Sequence, residues 1–203
     1  MIVLYDFPEC PYAQKVRIVL AEKELEFETK LVDLRRNEQR SAEFLKLNPL
    51  GKVPVLVDEE AVVYDSTIIN EYLDEEYPNP PLMPEDSYGR AKVRMMEDLA
   101  DMLFTPRVEL LQTELRRGEG ERDAEKVRRL QTEIAQLLRR LELPLQSTRF
   151  VAGEFSLADA AFAPGVLLLP KLGVEVDSAL VHVQRWIKEL HERPSIQSIQ
   201  QLA

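Results

Sequence analysis

Apolar and polar positions change their period several times in the first eighty residues and settle into a helical period after them. Ile2-Val3-Leu4-Tyr5 is a short continuous run, the pattern of a buried strand. After Pro11, Val16, Val19 and Leu20 fall on one side of a helix, with Lys15, Glu22 and Lys23 on the other. Residues 27–32 alternate, with Phe27, Thr29 and Leu31 on one face and Glu28 and Lys30 on the other, which predicts a second strand. A short helix is expected over 41–47, and Asn48-Pro49-Leu50-Gly51 reads as a turn. Two runs, 53–57 and 61–64, flank the acidic turn Asp58-Glu59-Glu60 and predict a hairpin. Residues 66–77 predict a helix with Ile68, Ile69, Tyr72 and Leu73 apolar. The order β-α-β-α-β-β-α describes a mixed sheet flanked by helices.

Residues 78–87 contain Pro78, Pro80, Pro81 and Pro84, which cannot continue a helix and predict a stiff linker. Beyond it, over 88–203, the pattern is helical. Val93, Met96, Ala100, Leu103 and Phe104 form one stripe, and Val127, Leu130, Ile134, Leu137, Leu138 and Leu141 another. The polar stretch 116–121 separates them as a turn, and Pro106 should kink or interrupt the first. Ser156-Leu157-Ala158-Asp159 precedes an apolar run and reads as a capping box with an acidic third residue, a structural cap worth about 1 kcal/mol.

Composition narrows the function. Of 203 residues, 45% are hydrophobic and 31% charged, which excludes a disordered or membrane-embedded chain. No apolar run approaches the ~20 residues that cross a bilayer, and the first residues lack the basic lead of a signal peptide, so a cytoplasmic protein is expected. Lys plus Arg number 26 against 36 acidic residues, and the net charge of −10 disfavours direct contact with nucleic acid or anionic lipid. The basic pairs Arg128-Arg129 and Arg139-Arg140 read as solvated helix faces. One cysteine forms neither an internal disulfide nor a thiolate metal site, and His182 and His191 have no ligand partners at suitable spacing. No metal is expected.

That cysteine carries the candidate chemistry. Cys10 joins the first strand to the first helix, directly before a proline at the first helical position. A thiol there lies beside unpaired helix N–H groups and the positive end of the dipole, which favour the thiolate. Lys15 and Arg17 add positive potential in this reading. Spacing alone leaves a reactive thiol and an inert, packed one equally open. Val53-Pro54 fits a strand entry, and Asp65 or Ser66 fits the cap of the following helix.

Cys10-Pro11-Tyr12-Ala13 resembles the Cys-Pro-Tyr-Cys of glutaredoxins with its second cysteine replaced by Ala13, so the implied chemistry is monothiol. With residues 48–56, Asp65-Ser66, the proline linker and residues 155–159, it resembles the glutathione transferase family across nearly the whole chain. That resemblance implies an α/β N-terminal thioredoxin-like domain (1–77) and an all-α C-terminal domain (88–203), usually paired as a homodimer. It also implies glutathione as co-substrate and a small electrophilic or disulfide second substrate. The cysteine motif is similar to the omega-class enzymes, in which a cysteine of this kind forms a mixed disulfide with glutathione and serves thioltransferase or reductase chemistry. By the same resemblance Tyr12, Arg40, Val53, Asp65 and Ser66 fall at glutathione-binding positions, with Lys52 a further candidate. Val53 would precede a cis proline and offer its backbone to the peptide, while Asp65 and Ser66 would hold its γ-glutamyl end. Arg40 stands where the omega enzymes have a lysine near the glycine carboxylate. Tyr5 reads as core and Tyr12 as a wall of the site, which disfavours hydroxyl-type transferases.

A second branch resembles the chain too. Residues 16–23, 71–84 and 169–173 are similar to the stringent starvation protein A type, a non-catalytic regulator that binds RNA polymerase. That type lacks a cysteine at the Cys10 place, and scaffold likeness alone does not fix function. The site residues favour the enzyme.

Overall fold

The structure is a computed structural model and describes residues 1–200. The chain divides into two compact units, Met1–Leu82 with the C-terminal stretch from Pro194, and Met83–Arg193.

The first unit is built on a four-stranded sheet of order β2-β1-β3-β4, from β1 (Ile2–Asp6), β2 (Phe27–Leu31), β3 (Val55–Asp58) and β4 (Ala61–Tyr64). β1 runs parallel to β2 and antiparallel to β3, and β3 and β4 form the expected hairpin. Its helices are α1 (Pro11–Glu22), α2 (Ala42–Leu47) and α3 (Ser66–Glu76), so the order of elements is the one the sequence predicts. Leu4, Leu56, Val16, Ile18, Leu20, Ile69 and Leu73 are fully buried between sheet and helices. Fully burying side chains of this size contributes about 1.5–3 kcal/mol each.

Three local expectations change. β2 does not bury the face carrying Thr29 and Leu31, and Leu31 is 62% exposed, because β2 is an edge strand. Ile68 lies outside the buried line of α3 and is exposed; Asn70 and Asp74 take inward positions instead. The last helix, α9 (Pro194–Gln200), groups with this unit and not with the helical one. Ile196 and Ile199 bury their side chains, and the Ser195 hydroxyl donates to the Glu22 carboxylate at the end of α1. A helical stripe specifies that a face is buried, not which neighbour buries it.

The proline-rich stretch after α3 is fastened at its start, and its residues up to Leu82 group with the first unit. Lys23, buried at the end of α1, donates its Nζ to the carbonyls of Tyr77 and Pro80 at 2.7 and 3.0 Å and pairs with Asp74 at 2.8 Å. Asp74 also accepts the Leu82 amide at 2.8 Å. A buried ammonium with three acceptors escapes the penalty of an unpaired charge.

The second unit holds α4 (Ser87–Leu99), α5 (Thr105–Leu115), α6 (Ala124–Ser147), α7 (Leu157–Leu168) and α8 (Val181–Glu192). The predicted interruption near Pro106 takes the form of a π-helical turn, Ala100–Phe104, immediately before α5. That turn brings Phe104 against Phe162, which meets Trp186 edge-on, at centroid distances of 5.3 and 5.8 Å. Gly165 lets Phe104 approach the backbone of α7, since a Cβ there would stand 2.5 Å from its ring.

The capping box is present and does more than cap. The Asp159 carboxylate is fully buried and accepts the Ser156 amide and hydroxyl at 3.1 and 3.0 Å. It also accepts the Val151 amide at 3.2 Å and the Trp186 indole at 2.9 Å. Burial pushes its pKa up to about 6, against the lowering effect of those donors.

Candidate active site

Strand register gathers the expected site residues at one end of the sheet of the first unit. Tyr5 of β1 lies opposite Val55, and Val55 lies opposite Tyr64. The C-terminal end of β1, the N-terminal end of β3 and the C-terminal end of β4 therefore coincide. From that end leave the loop to Cys10, the segment through Val53-Pro54 and the turn into Asp65-Ser66. The parallel partner β2 ends there as well, with Asp6 opposite Leu31, and feeds the short turns that carry Arg40.

Cys10 is the N-cap of α1, with extended backbone angles and Pro11 as the first helical residue. Its amide donates to the Phe7 carbonyl and its own carbonyl accepts the Gln14 amide, both at 2.9 Å. The sulfur-bearing side chain is half-buried against a small apolar cluster of Val32, Phe44, Val53 and Val55. Cys10 and Val53 thus pack against the same cluster. Tyr12 lies half-buried in the first turn of α1.

The Val53–Pro54 bond is cis. Asn48 organises the approach to it. This buried side chain donates to the Lys52 carbonyl at 2.7 Å and accepts the Leu50 amide at 2.9 Å. Gly51 adopts φ +61, and a Cβ there would meet Arg40 Nη1 and the Gln39 carbonyl, each at 2.9 Å. Arg40 and Lys52 are both exposed and flank this turn, with Arg40 lying against its glycine.

Asp65 caps α3 and is the residue of the hairpin exit with the least usual backbone, φ 75 and ψ 126. Its Oδ1 accepts the Thr67 amide at 3.0 Å and the Ile68 amide at 3.4 Å. A non-glycine residue in that region marks a position the surroundings over-determine. The capping carboxylate is exposed, and Ser66, next to it, is buried.

Arg17 and Lys15 differ from the expected sources of diffuse positive potential. Arg17 is buried, lies 3.4 Å from Asp6 and donates to the Pro8 carbonyl, and Lys15 is buried and donates to Thr67. Burial pushes the Asp6 carboxyl above the usual range, with Arg17 opposing the shift. Sequence reasoning did not single out Asn48, Gln14, Asp6 or Arg35. The last pairs with Glu9 and lies 5.5 Å over the Phe7 ring. Asn48 had a signal in its asparagine-proline turn; the others had none, because each meets its partner across a loop or in another element.

A groove of about 730 Å³ opens beside α2, over Tyr5, Lys30, Leu31, Phe44 and Leu47. Among the described residues, no group of three or more His, Cys, Asp or Glu could hold a metal, and no helix is long and apolar enough to cross a membrane.

Comparison with known proteins agrees with this arrangement. Residues 9–76 match the model of the glutathione S-transferase N-terminal domain and residues 85–194 that of the C-terminal domain. A stringent starvation protein A homolog of Pasteurella multocida is 36% identical over 83% of this chain and 74% of its own length. Glutathione S-transferase 1 of Dianthus caryophyllus is 51% identical over 43% of this chain and 40% of its own. The crystal structure of a glutathione S-transferase from the Antarctic clam Laternula elliptica superposes with a TM-score of 0.81 at 30% identity, covering 98% of this chain and 91% of that one. Two family domains in sequence, an α/β unit and a helical unit after it, make one assignment: the chain belongs to the glutathione S-transferase family.

Proposed function

We propose that this protein is a glutathione-dependent transferase with thioltransferase or reductase character, in which Cys10 is the nucleophile. One observation carries the reading: Cys10 packs against the same apolar cluster as Val53, beside the cis Val53–Pro54 bond, at the sheet end that also carries Asp65-Ser66. A glutathione lying along that end would pair its backbone with Val53. Asp65 would face its ammonium, and Ser66 with the first amides of α3 its γ-glutamyl carboxylate. Arg40 and Lys52 supply cations for its glycine carboxylate, and Tyr12 a wall.

The reaction follows from one thiol. The Cys10 thiolate attacks the glutathionyl sulfur of a mixed disulfide, the other sulfur leaves as a thiolate and takes a proton, and Cys10 is left bonded to glutathione. The thiolate of a second glutathione attacks that bond, which releases oxidised glutathione and restores Cys10. Ala13 offers no second thiol to short-circuit this exchange. A homodimer in the cytoplasm is part of the proposal, and the exposed apolar side chains Val62, Tyr64 and Ile68 of the first unit support a partner.

A second reading, a partner-binding regulator of the stringent starvation protein A type, is favoured by 36% identity over most of the chain. The two part on one measurement. After incubation with oxidised glutathione, intact mass should rise by one glutathionyl group on Cys10, and the protein should be retained on immobilised glutathione. Absence of both results removes the enzyme reading and leaves the regulator, whose RNA polymerase binding can then be measured directly.

A further inference from the structure

We propose that Arg17, together with Gln14, is a positioning residue for Cys10: the two side chains clamp the Pro8 carbonyl and so hold the sulfur at the start of α1. The inference rests on reading Cys10 as the reacting thiol.

The loop 7–10 spans only four residues between β1 and α1. Its Pro8 carbonyl accepts Gln14 Nε2 and Arg17 Nη2, each at 2.8 Å. Both donors come from the first two turns of α1, which follow Cys10. Gln14 holds the loop twice, since its backbone amide also donates to the Cys10 carbonyl at 2.9 Å. The Cys10 amide closes the loop on the Phe7 carbonyl, likewise at 2.9 Å. A shift of Pro8 therefore moves Cys10 with it.

Arg17 reaches the loop from a fixed base. Only 4% of it is exposed, and its Nη1 lies 3.4 Å from the fully buried carboxylate of Asp6. Asp6 ends β1 and is itself tied to the sheet, its carbonyl accepting the Val32 amide at 2.8 Å. The clamp thus runs from the sheet through Asp6 and Arg17 to the loop. An arginine buried this way carries a large desolvation cost, and a role confined to packing would be met by an apolar side chain. Arg17 faces an acidic partner 3.4 Å away, so we assign its effect on the thiol to position. From the outer side Arg35 pairs with Glu9, but it is 70% exposed and holds the loop weakly.

The test measures iodoacetamide alkylation of Cys10 across pH, and amide hydrogen exchange at Glu9 and Cys10, in the full chain. Arg17→Met should raise the thiol pKa by about one unit and slow alkylation at pH 7 about tenfold. Exchange at Glu9 and Cys10 should quicken in the same variant. Arg17→Lys keeps a donor and should restore part of both. Gln14→Leu removes the other donor and should show the same changes at about threefold. A folded Arg17→Met with wild-type alkylation and wild-type exchange overturns the proposal. Where Arg17→Met does not fold, Gln14→Leu decides on the same two readings. An unreactive wild-type Cys10 that takes no glutathione would instead count against the proposed function. Exchange at Glu9 and Cys10 in the variants would then judge the clamp alone: quickened exchange supports it and unchanged exchange overturns it.

Discussion

Two helix starts in this protein use the same physics to opposite ends. At α7 a buried carboxylate closes the first turn. Asp159 accepts the Ser156 amide and hydroxyl, and reaches beyond the helix to Val151 and Trp186. At α1 the cap position is held by Cys10, whose side chain makes no capping hydrogen bond, and the next residue is a proline. One start directs its polar groups inward and ties a unit together. The other presents a half-buried sulfur at the end of the sheet where the strands converge. α3 stands between them, capped by an Asp65 that remains exposed.

Exchanging or removing the three cap residues should therefore separate function from stability. Cys10→Ala should abolish the glutathione adduct and lower disulfide-reductase turnover at least about a thousandfold, while the urea midpoint barely moves. Retained turnover in that variant would remove Cys10 as nucleophile. Asp159→Ala should do the reverse. It leaves two amides, a hydroxyl and an indole without their acceptor, at a cost of about 4 kcal/mol in denaturant unfolding, with Cys10 alkylation unchanged wherever the protein is folded.

The same carboxylate predicts a pH dependence. In the folded chain Asp159 titrates at about 6, above its ordinary value of 3.8. The native state then binds more protons than the unfolded state between those values, and stability falls as pH rises through them. This contribution is complete below about pH 4 and lost above about pH 6, an effect on the order of 3 kcal/mol. Denaturant unfolding of wild type and Asp159→Asn across pH 4–7 checks it: the wild type's advantage should shrink over that range, and a constant or growing difference would contradict the shift.

Asp65 gives the smallest and most discriminating effect. Asp65→Ala loses the cap and stays at positive φ, for about 1 kcal/mol. Asp65→Gly suits that backbone and should cost only a few tenths. If Asp65 holds the glutathione ammonium, both variants lose retention on immobilised glutathione although only one loses stability. Retention that tracks stability would reduce Asp65 to a cap.

Much of the architecture was legible because it rests on short-range patterns. The strand at 27–31, the hairpin around Asp58-Glu59-Glu60 and the helix carrying the stripe from Val127 to Leu141 all form where the patterns predict them, since each period is a local property of the backbone. Leu31 and Ile68 escaped the pattern. Their exposure depends on where β2 and α3 sit in the sheet layer, which alternation does not encode. The sole cysteine before a proline, and Asp65 before a helix, were visible as candidates for the same reason. Gln14 and Asp6 were not, because their partners lie across the loop between β1 and α1.

By itself the sequence determined the order of elements, the single thiol and, through Ala13, the absence of a resolving partner beside it. Tertiary structure alone decided that Tyr5, Val55 and Tyr64 lie in register, so that the Cys10 loop, Pro54 and Ser66 leave the sheet at one end. It also decided that Arg17 faces Asp6 and Pro8, and that α9 returns to α1. The physical reason is common to all three. Hydrogen-bond register and burial are satisfied between segments far apart in the chain, and no local period records which segment will be the partner.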